Sequence, residues 1–239
     1  MQATQDIKGL LIDIDDTIIR FRADGPRADK SRQNTGSLMD VLKQAGVELG
    51  GLTPEETASR MERVKRDVRW WHWSDFIVEL GLRPKAFWDF AYVVESAYLE
   101  PTGSDILPAL QRLHDAGVLL YVTSNNPSSG ILHKLRLAGI AHVTGTTLFS
   151  QLLGGTELHA MKWEPVYWRK ALAHIALDAD EVAVVGDNPH DDYEVPHSVG
   201  ICRSFIIDRQ RDASAADTES LVHVRNFRQI ADRILRERP

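Results

Sequence analysis

Four continuous apolar segments constrain the fold of this 239-residue chain more than any other feature. Runs of this kind, rich in branched side chains, are typical of strands that are buried on both faces of a parallel sheet. Helical patterns separate them: one begins at Asn126-Pro127 and ends at Gly139, and another begins near Pro165 and runs through Ala176. This alternation predicts an α/β fold with a doubly wound parallel sheet. The four segments are LLIDI (10–14), VLLYVTS (118–124), VAVVG (182–186) and ICRSFII (201–207).

Residues 20–103 follow a different pattern, which predicts an all-helical domain inserted between the first two strands of the core. Thr53-Pro54-Glu55-Glu56 is a capping box at a helix start, and no segment here resembles the four buried strands. We therefore expect a core formed by residues 1–19 and 104–239, with 20–103 as a helical insertion. We interpret the tryptophans of RWWHW (69–73) as packing residues. We interpret the basic residues of one helix mainly as a solvated face, namely Arg60, Arg63, Lys65, Arg66 and Arg69.

Composition argues against several classes of protein. The formal net charge of −6, without a long basic run, argues against a surface built to bind nucleic acid. No apolar stretch approaches the about 20 residues that cross a bilayer, and the N-terminal MQATQDIKG lacks the pattern of a signal peptide. The single cysteine, Cys202, excludes an intramolecular disulfide framework. We expect a cytoplasmic protein without nucleic-acid or membrane partners.

Carboxylate and hydroxyl side chains follow the predicted strands at the points where those strands end. Ligands of open α/β sheets bind outside the carboxyl ends of the strands, so we expect these side chains to share one crevice. Several carboxylates in one crevice repel one another unless a cation joins them, and oxygen ligands favour Mg²⁺. The residues are Asp13 and Asp15 after the first strand, Ser124 and Asn125 after the second, and Asp187 and Asp192 after the third.

Neighbouring polar residues have simpler interpretations. Asp16 is interpreted as a structural residue whose short side chain satisfies nearby backbone groups. For Asp191 two interpretations stay open, a solvated acid at a helix start or a group behind the metal ligands. His190 and His197 have no further histidine or cysteine partners at zinc-site spacing, so a zinc site is not predicted.

These residues resemble the four motifs of the haloacid dehalogenase superfamily of hydrolases, which occur here in the family's order. The segment 20–103 resembles, by position and helicity, the cap that many members carry between the first and second motifs. One departure is Trp163, which stands where the third motif usually has proline. The matches are Asp13-Ile14-Asp15-Asp16-Thr17 to DxDxT, Ser124-Asn125 to the second motif, Lys162 to the third-motif lysine, and Gly186-Asp187 with Asp192 to GDxxxxD.

The resemblance implies phosphoryl transfer that depends on Mg²⁺. Asp13 would attack phosphorus and form an aspartyl-phosphate, while Asp15 would protonate the leaving alcohol and later activate water. The implied metal ligands are Asp13, Asp15 through its backbone carbonyl, Asp187 and Asp192. The implied residues for binding the phosphoryl oxygens are Ser124, Asn125 and Lys162.

The acid at position 15 separates two chemistries within the superfamily. Dehalogenase members lack an acid at this second position, so Asp15 favours phosphoryl transfer. We expect a phosphomonoester hydrolase that acts on a small phosphorylated metabolite. Three alternatives stay open: a phosphomutase or other phosphotransferase on the same core, a non-enzymatic phospho-acceptor similar to a response-regulator receiver, and a catalytically silent binding protein.

Overall fold

The computed structural model describes residues 6–22, 38–67, 73–140, 148–209 and 217–237. The chain divides into two compact units: unit 1 comprises Met1–Ile19 and Pro101–Pro239, and unit 2 comprises Arg20–Glu100. The sequence-based boundary lay three residues later, at 103. Residues 101–103 group with unit 1 because Thr102 bonds there: its Oγ1 donates to the Thr17 carbonyl at 2.6 Å and its N–H to the Ile18 carbonyl at 2.9 Å.

Strands and helices alternate along most of the chain. The strands are β1 (Gly9–Ile12), β2 (Ile19–Phe21), β3 (Leu99–Pro101), β4 (Leu119–Ser124), β5 (Gln151–Gly154), β6 (Val182–Gly186), β7 (Ser204–Ile207) and β8 (Leu221–Val224). The helices are α1 (Leu38–Glu48), α2 (Pro54–Asp67), α3 (Trp73–Glu79), α4 (Pro84–Glu95), α5 (Ile106–Asp115), α6 (Ser128–Leu137), α7 (Gly155–Leu158), α8 (Pro165–Ile175), α9 (Val195–Ser198) and α10 (Phe227–Glu237). A π-helical turn, His190–Glu194, runs into α9.

Unit 1 contains a six-stranded parallel sheet in the order β5-β4-β1-β6-β7-β8, which confirms the predicted doubly wound architecture. β1 lies between β4 and β6, with Gly9 opposite both Leu119 and Val182. The chain continues outward from β1 in both directions, so β1 is the switch point of the sheet. The crevice at its carboxyl end is the place where this architecture binds ligands.

Helices bury both faces of the sheet. On one face, Tyr167 and Trp168 of α8 share a core cluster with Leu11 of β1 and Val184 of β6. The adjacent Leu10 is also completely buried, as expected for a central strand that is covered on both sides. Helices α5 and α10 pack against each other and bury apolar faces of their own.

The described part of unit 2 contains α1–α4 around an apolar core of its own, which includes Leu42, Phe76 and Phe87. The predicted capping box is present: the Glu56 N–H donates to Thr53 Oγ1 at 3.1 Å, and the Thr53 N–H donates to Glu56 Oε2 at 2.8 Å. The two hydrogen bonds satisfy N–H groups that would otherwise have no partner at the start of α2.

The expectation that this insertion is entirely helical was wrong at its two ends. Strands β2 and β3 pair there, and the Arg22 N–H donates to the Tyr98 carbonyl at 2.9 Å. The rings of Phe21 and Tyr98 stack with centroids 5.9 Å apart. Strands of three residues are too short to show the alternation by which a sequence reveals a strand.

The basic face of α2 is partly engaged within unit 2. Arg63 forms an ion pair with Glu79 of α3 at 2.5 Å, and Arg60 donates to the Glu79 carbonyl at 3.1 Å. Arg69, Trp70 and Trp71 lie outside the described residues. In the part of the chain that the structure describes, no helix combines the length and apolar character needed to span a bilayer.

Candidate functional site

Asp13 lies directly after β1, and its position is fixed by the sheet. Its N–H donates to the Val185 carbonyl at 2.8 Å, which extends the β1–β6 pairing by one residue. The Thr17 hydroxyl lies 3.2 Å from Asp13 Oδ2 and 3.4 Å from Asp187 Oδ1. The carboxyl ends of β1 and β6 thus bring two of the predicted acids together, with Thr17 between them.

Lys162 joins two acids of this site. Its Nζ lies 2.5 Å from Asp13 Oδ1 and 2.5 Å from Asp192 Oδ1, and only 3% of its side chain is exposed. Its backbone is also held: the N–H donates to Asn125 Oδ1 and the carbonyl accepts from Trp168 Nε1, each at 2.8 Å. Asn125, predicted to bind substrate, therefore uses its carbonyl oxygen to anchor the lysine.

Asp192 reaches the site because β6 ends in glycine. A Cβ on Gly186 would overlap the Asp192 carboxylate, so a larger residue there would displace the acid. The Asn188 N–H donates to Asp192 Oδ2 at 3.1 Å and fixes the carboxylate. Asp191 instead contacts His190 at 2.8 Å and is not one of the clustered acids.

Asp13, Asp187 and Asp192 present carboxylate oxygens that all lie within 4.8 Å of one another. Burial raises the pKa of Asp13 to about 8, with Asp192 adding to the rise and Lys162 opposing it. Burial and Asp192 also raise the pKa of Asp187 to about 6. Burial alone would lower the pKa of Lys162, but the charges of Asp13 and Asp192 outweigh it and raise that pKa. The lysine therefore stays protonated.

The donor set fits a divalent cation. When all three carboxylates are ionised, their charge exceeds that of the single ammonium by two, and the raised pKa values of Asp13 and Asp187 show that this state is unfavourable without a further cation. The buried Asp192 Oδ1 lies 2.5 Å from Lys162 Nζ, so one ammonium is shared between the carboxylates of Asp13 and Asp192. Oxygen ligands at this spacing suit Mg²⁺.

Asp15 lies outside this cluster, in a second set of contacts. Asn126 Nδ2 donates to Asp15 Oδ2 at 2.7 Å and lies 3.0 Å from Ser124 Oγ, while Lys134 Nζ forms an ion pair with Asp15 Oδ1. The Asn126 N–H also donates to Ser124 Oγ, at 3.1 Å. Ser124 is thus connected to Asp15 through Asn126.

Tyr167 ties the ends of two strands together. The Ser124 N–H donates to the Tyr167 hydroxyl at 2.9 Å, and that hydroxyl donates to the Leu153 carbonyl at 2.6 Å. Burial raises the pKa of Tyr167, so the phenol stays neutral and able to donate. The hydroxyl therefore sets the position of Ser124 relative to β5.

The turn after Asp15 is held in an unusual backbone conformation. Asp16 has φ 52°, in the left-handed region that Asp tolerates better than most residues. The Arg209 guanidinium donates to the carbonyls of Asp16 and Thr17 at 2.7 and 2.8 Å. These bonds fix the backbone at Asp16 and Thr17, directly after Asp15.

Four of these contact residues were missed at the sequence level: Asn126, Lys134, Tyr167 and Arg209. Asn126 directly follows the second motif, so its position was a usable signal. The other three act through tertiary contacts, and nothing in their local sequence distinguishes them from ordinary helix or loop residues. Thr17 was recognised in the first motif but was given no role.

Comparisons with known proteins agree on one family. A family model described as haloacid dehalogenase-like hydrolase matches residues 7–200. A curated relative, phosphoglycolate phosphatase of Aliivibrio fischeri, is 28% identical over 204 residues, which is 85% of this chain and 85% of that protein. Phosphoglycolate phosphatase of Pasteurella multocida is 33% identical over 87 residues, 36% of this chain and 37% of that one.

Solved structures show the same fold at low identity. A haloacid dehalogenase-type phosphatase from Thermococcus onnurineus superposes with a TM-score of 0.59 at 22% identity, covering 95% of this chain and 97% of that chain. A 2-haloacid dehalogenase from Pseudomonas syringae pv. tomato has a TM-score of 0.58 at 20% identity, covering 96% and 98%. At these identities the likeness establishes the fold and leaves the reaction to the site residues.

Proposed function

Because the chain belongs to the haloacid dehalogenase-like hydrolase family, we propose that it is a phosphomonoesterase that works through an aspartyl-phosphate on Asp13. One observation carries the proposal. Asp13 is buried beside Lys162 and two further acids, and Asp15 lies two residues away with its side chain half exposed. A nucleophile, an ammonium for phosphoryl oxygens and an acid for the leaving group are the groups that this reaction requires.

Mg²⁺ is the cofactor that we assign to the clustered acids. Asp13, Asp187 and Asp192 would hold it with their carboxylates, and Asp15 would add its backbone carbonyl. When bound, the ion would screen the negative charge of the nucleophile from that of the phosphate. The surplus negative charge of the acids supports this assignment.

The chain's own residues account for both chemical steps. In the first, an Asp13 carboxylate oxygen bonds to phosphorus, the bond from phosphorus to the leaving oxygen breaks, and Asp15 gives that oxygen its proton. In the second, water attacks the phosphorus of the aspartyl-phosphate, Asp15 takes the water's proton, and inorganic phosphate leaves Asp13. Lys162 and Ser124, with Asn125 beside them, would bind the phosphoryl oxygens as charge moves between them.

The substrate that we propose to test first is 2-phosphoglycolate. A relative named for this substrate aligns with 85% of this chain and across 85% of its own length. We also propose that unit 2 serves as the cap that the family resemblance implies. A small phosphorylated carboxylic acid is the substrate class that this relative supports.

The test measures phosphate release from p-nitrophenyl phosphate and from 2-phosphoglycolate, with Mg²⁺ or with excess chelator. We expect activity only with Mg²⁺ and none in Asp13→Asn, since an amide neither attacks phosphorus well nor carries the metal-binding charge. Asp16→Asn is the matched control, because it alters an adjacent acid outside the cluster and should retain most activity. Full activity with chelator, or in Asp13→Asn, would refute the mechanism.

Asp15→Asn distinguishes the two steps. Loss of the proton donor and base should reduce turnover by about 10²–10⁴-fold. With the aryl ester, whose leaving group needs little protonation, the first step should survive better and phosphorylated protein should accumulate. Rapid-quench labelling and intact-mass measurement would detect it. Equal losses for aryl and alkyl esters without phosphoprotein would remove Asp15 from this role, and phosphorylated alcohol among the products would indicate a phosphotransferase instead.

A further inference from the structure

Lys134 is a second nearly buried lysine that no motif of the sequence accounts for. It lies in the last turn of α6, and its ammonium pairs with Asp15 Oδ1. The lysine side chain is 10% exposed, whereas the Asp15 side chain is 50% exposed. The helix thus brings a charged group out of solvent to meet an acid that remains accessible.

Stability alone does not explain this pair. Removing an ammonium from water is unfavourable, and an ion pair with a half-exposed partner returns little of that cost. An apolar residue at position 134 would fill the same helix position without the desolvation penalty. The pair is therefore explained better by its effect on Asp15 than by the stability that it adds.

Asn126 completes the arrangement. It donates to the other oxygen of Asp15 at 2.7 Å, is only 9% exposed, and is itself fixed by Ser124 Oγ. Both carboxylate oxygens of Asp15 thus meet donors from the segment formed by the end of β4 and α6. Each oxygen has a further lone pair, so the acid is oriented but can still exchange a proton.

We propose that Lys134 is a positioning residue that, with Asn126, holds the Asp15 carboxylate in the orientation for proton exchange with the leaving oxygen and with water. This inference rests on the proposed function, because it assigns Lys134 a role only through Asp15. The carboxylates of Asp13, Asp187 and Asp192 are held by Thr17, Lys162 and Asn188, whereas Lys134 bonds to the side chain of Asp15. Loss of Lys134 should therefore affect the chemical steps more than substrate binding.

The test is Lys134→Met, which keeps the buried stem and removes the charge. A misplaced proton-transfer group should lower kcat by up to about 10²-fold while KM changes by less than about threefold. Phosphoprotein should accumulate with p-nitrophenyl phosphate, as in Asp15→Asn but to a smaller extent. Lys134→Gln, which keeps a donor, should retain more activity, and it serves as the second variant if Lys134→Met fails to fold.

The double variant Lys134→Met/Asp15→Asn separates positioning from a structural role. If Lys134 acts only through Asp15, the double variant should be no slower than Asp15→Asn alone. Lys170→Met is the matched control, since that partly buried lysine bonds to the Leu158 carbonyl at 2.7 Å, away from the clustered acids. It should leave kcat unchanged.

Additive losses in the double variant, or unchanged kcat in Lys134→Met, would overturn the positioning role while the proposed function stands. Wild-type protein that hydrolyses no phosphate ester would overturn the proposed function, and the positioning role with it.

Discussion

At the scale of single residues, one hydroxyl determines where the end of β4 lies. Tyr167 accepts from the Ser124 N–H and donates to the Leu153 carbonyl, and both contacts are buried. Without this hydroxyl, the Ser124 N–H and the Leu153 carbonyl would lose a partner inside the protein. Buried polar groups left without partners are costly, so the hydroxyl matters more than its small volume suggests.

Tyr167→Phe should therefore lower the free energy of unfolding by about 1–3 kcal/mol. Urea unfolding monitored by tryptophan fluorescence would measure the loss. Tyr193→Phe is the control, since the Tyr193 hydroxyl is 3.4 Å from Ser220 Oγ in a weaker contact. A loss in Tyr167→Phe no greater than in this control would contradict the assigned role.

Some residues of the site could be identified from the sequence and others could not, and the two groups differ in what places them in the site. Asp13, Asp187 and Asp192 follow strands of a parallel sheet, so topology alone predicts that they meet. Lys162 was identified through its motif. Lys134 could not be identified from the sequence, because its contact depends on which face of α6 turns toward Asp15. A lysine in the last turn of a helix is common and does not by itself indicate a site.

At the scale of elements, two helices end in the same conformation with different residues. α6 ends at Leu137 and is followed by Ala138 and then Gly139, with φ 73°, whereas α8 ends at Ile175 and is followed directly by Ala176, with φ 53°. Glycine adopts this left-handed backbone readily, whereas alanine pays about 1–2 kcal/mol of steric strain. An added Cβ at Gly139 would meet no atom within 4 Å, so the effect of a substitution there comes mainly from the backbone conformation.

Reciprocal substitutions test this comparison. Gly139→Ala should lower the free energy of unfolding by about 1 kcal/mol, and Ala176→Gly should raise it by a similar or smaller amount, since glycine also adds entropy to the unfolded chain. Each variant is a control for the other. Thermal or urea unfolding would measure both, and changes of the same sign would contradict the explanation.

Strand prediction succeeded for the interior strands of the sheet and failed for its two edge strands. β6 was predicted with its observed limits, Val182–Gly186, because all five residues are buried and apolar. β5 and β8 each have four residues and lie at the edges of the sheet, with partly exposed positions. Their sequences, QLLG and LVHV, are apolar runs that are too short to be distinguished from segments of a helix or loop.

At the scale of the whole molecule, the clustered acids link the stability of the fold to pH. The pKa of Asp13 is raised to about 8 and that of Asp187 to about 6, above the usual value of about 4. Groups with a raised pKa in the folded state stabilise it fully below the unfolded pKa, and that contribution is lost as pH rises through the folded values. Without metal, these two acids should therefore lower stability progressively from about pH 4 to about pH 8.

Mg²⁺ should reverse this trend, because it favours the ionised carboxylates. The increase in Tm on adding Mg²⁺ should be larger at pH 8 than at pH 5.5, where protons compete for the same oxygens. Differential scanning fluorimetry with Mg²⁺ and with chelator would measure this increase in Tm at each pH. Because acids elsewhere in the chain affect both measurements equally, their contribution drops out of the difference. Asp187→Asn should reduce the increase, and an increase that is independent of pH would contradict the assignment.

Strands β2 and β3 hold the two ends of unit 2 next to each other. Their pairing brings Arg22 beside Tyr98, so the chain leaves unit 1 and returns to it at neighbouring points. An insertion whose ends are already adjacent adds little to the entropy of closing the chain, whatever its length. The parallel sheet therefore places no constraint on the length of the segment between β2 and β3, and insertions of different size are compatible with the same register and the same arrangement of acids.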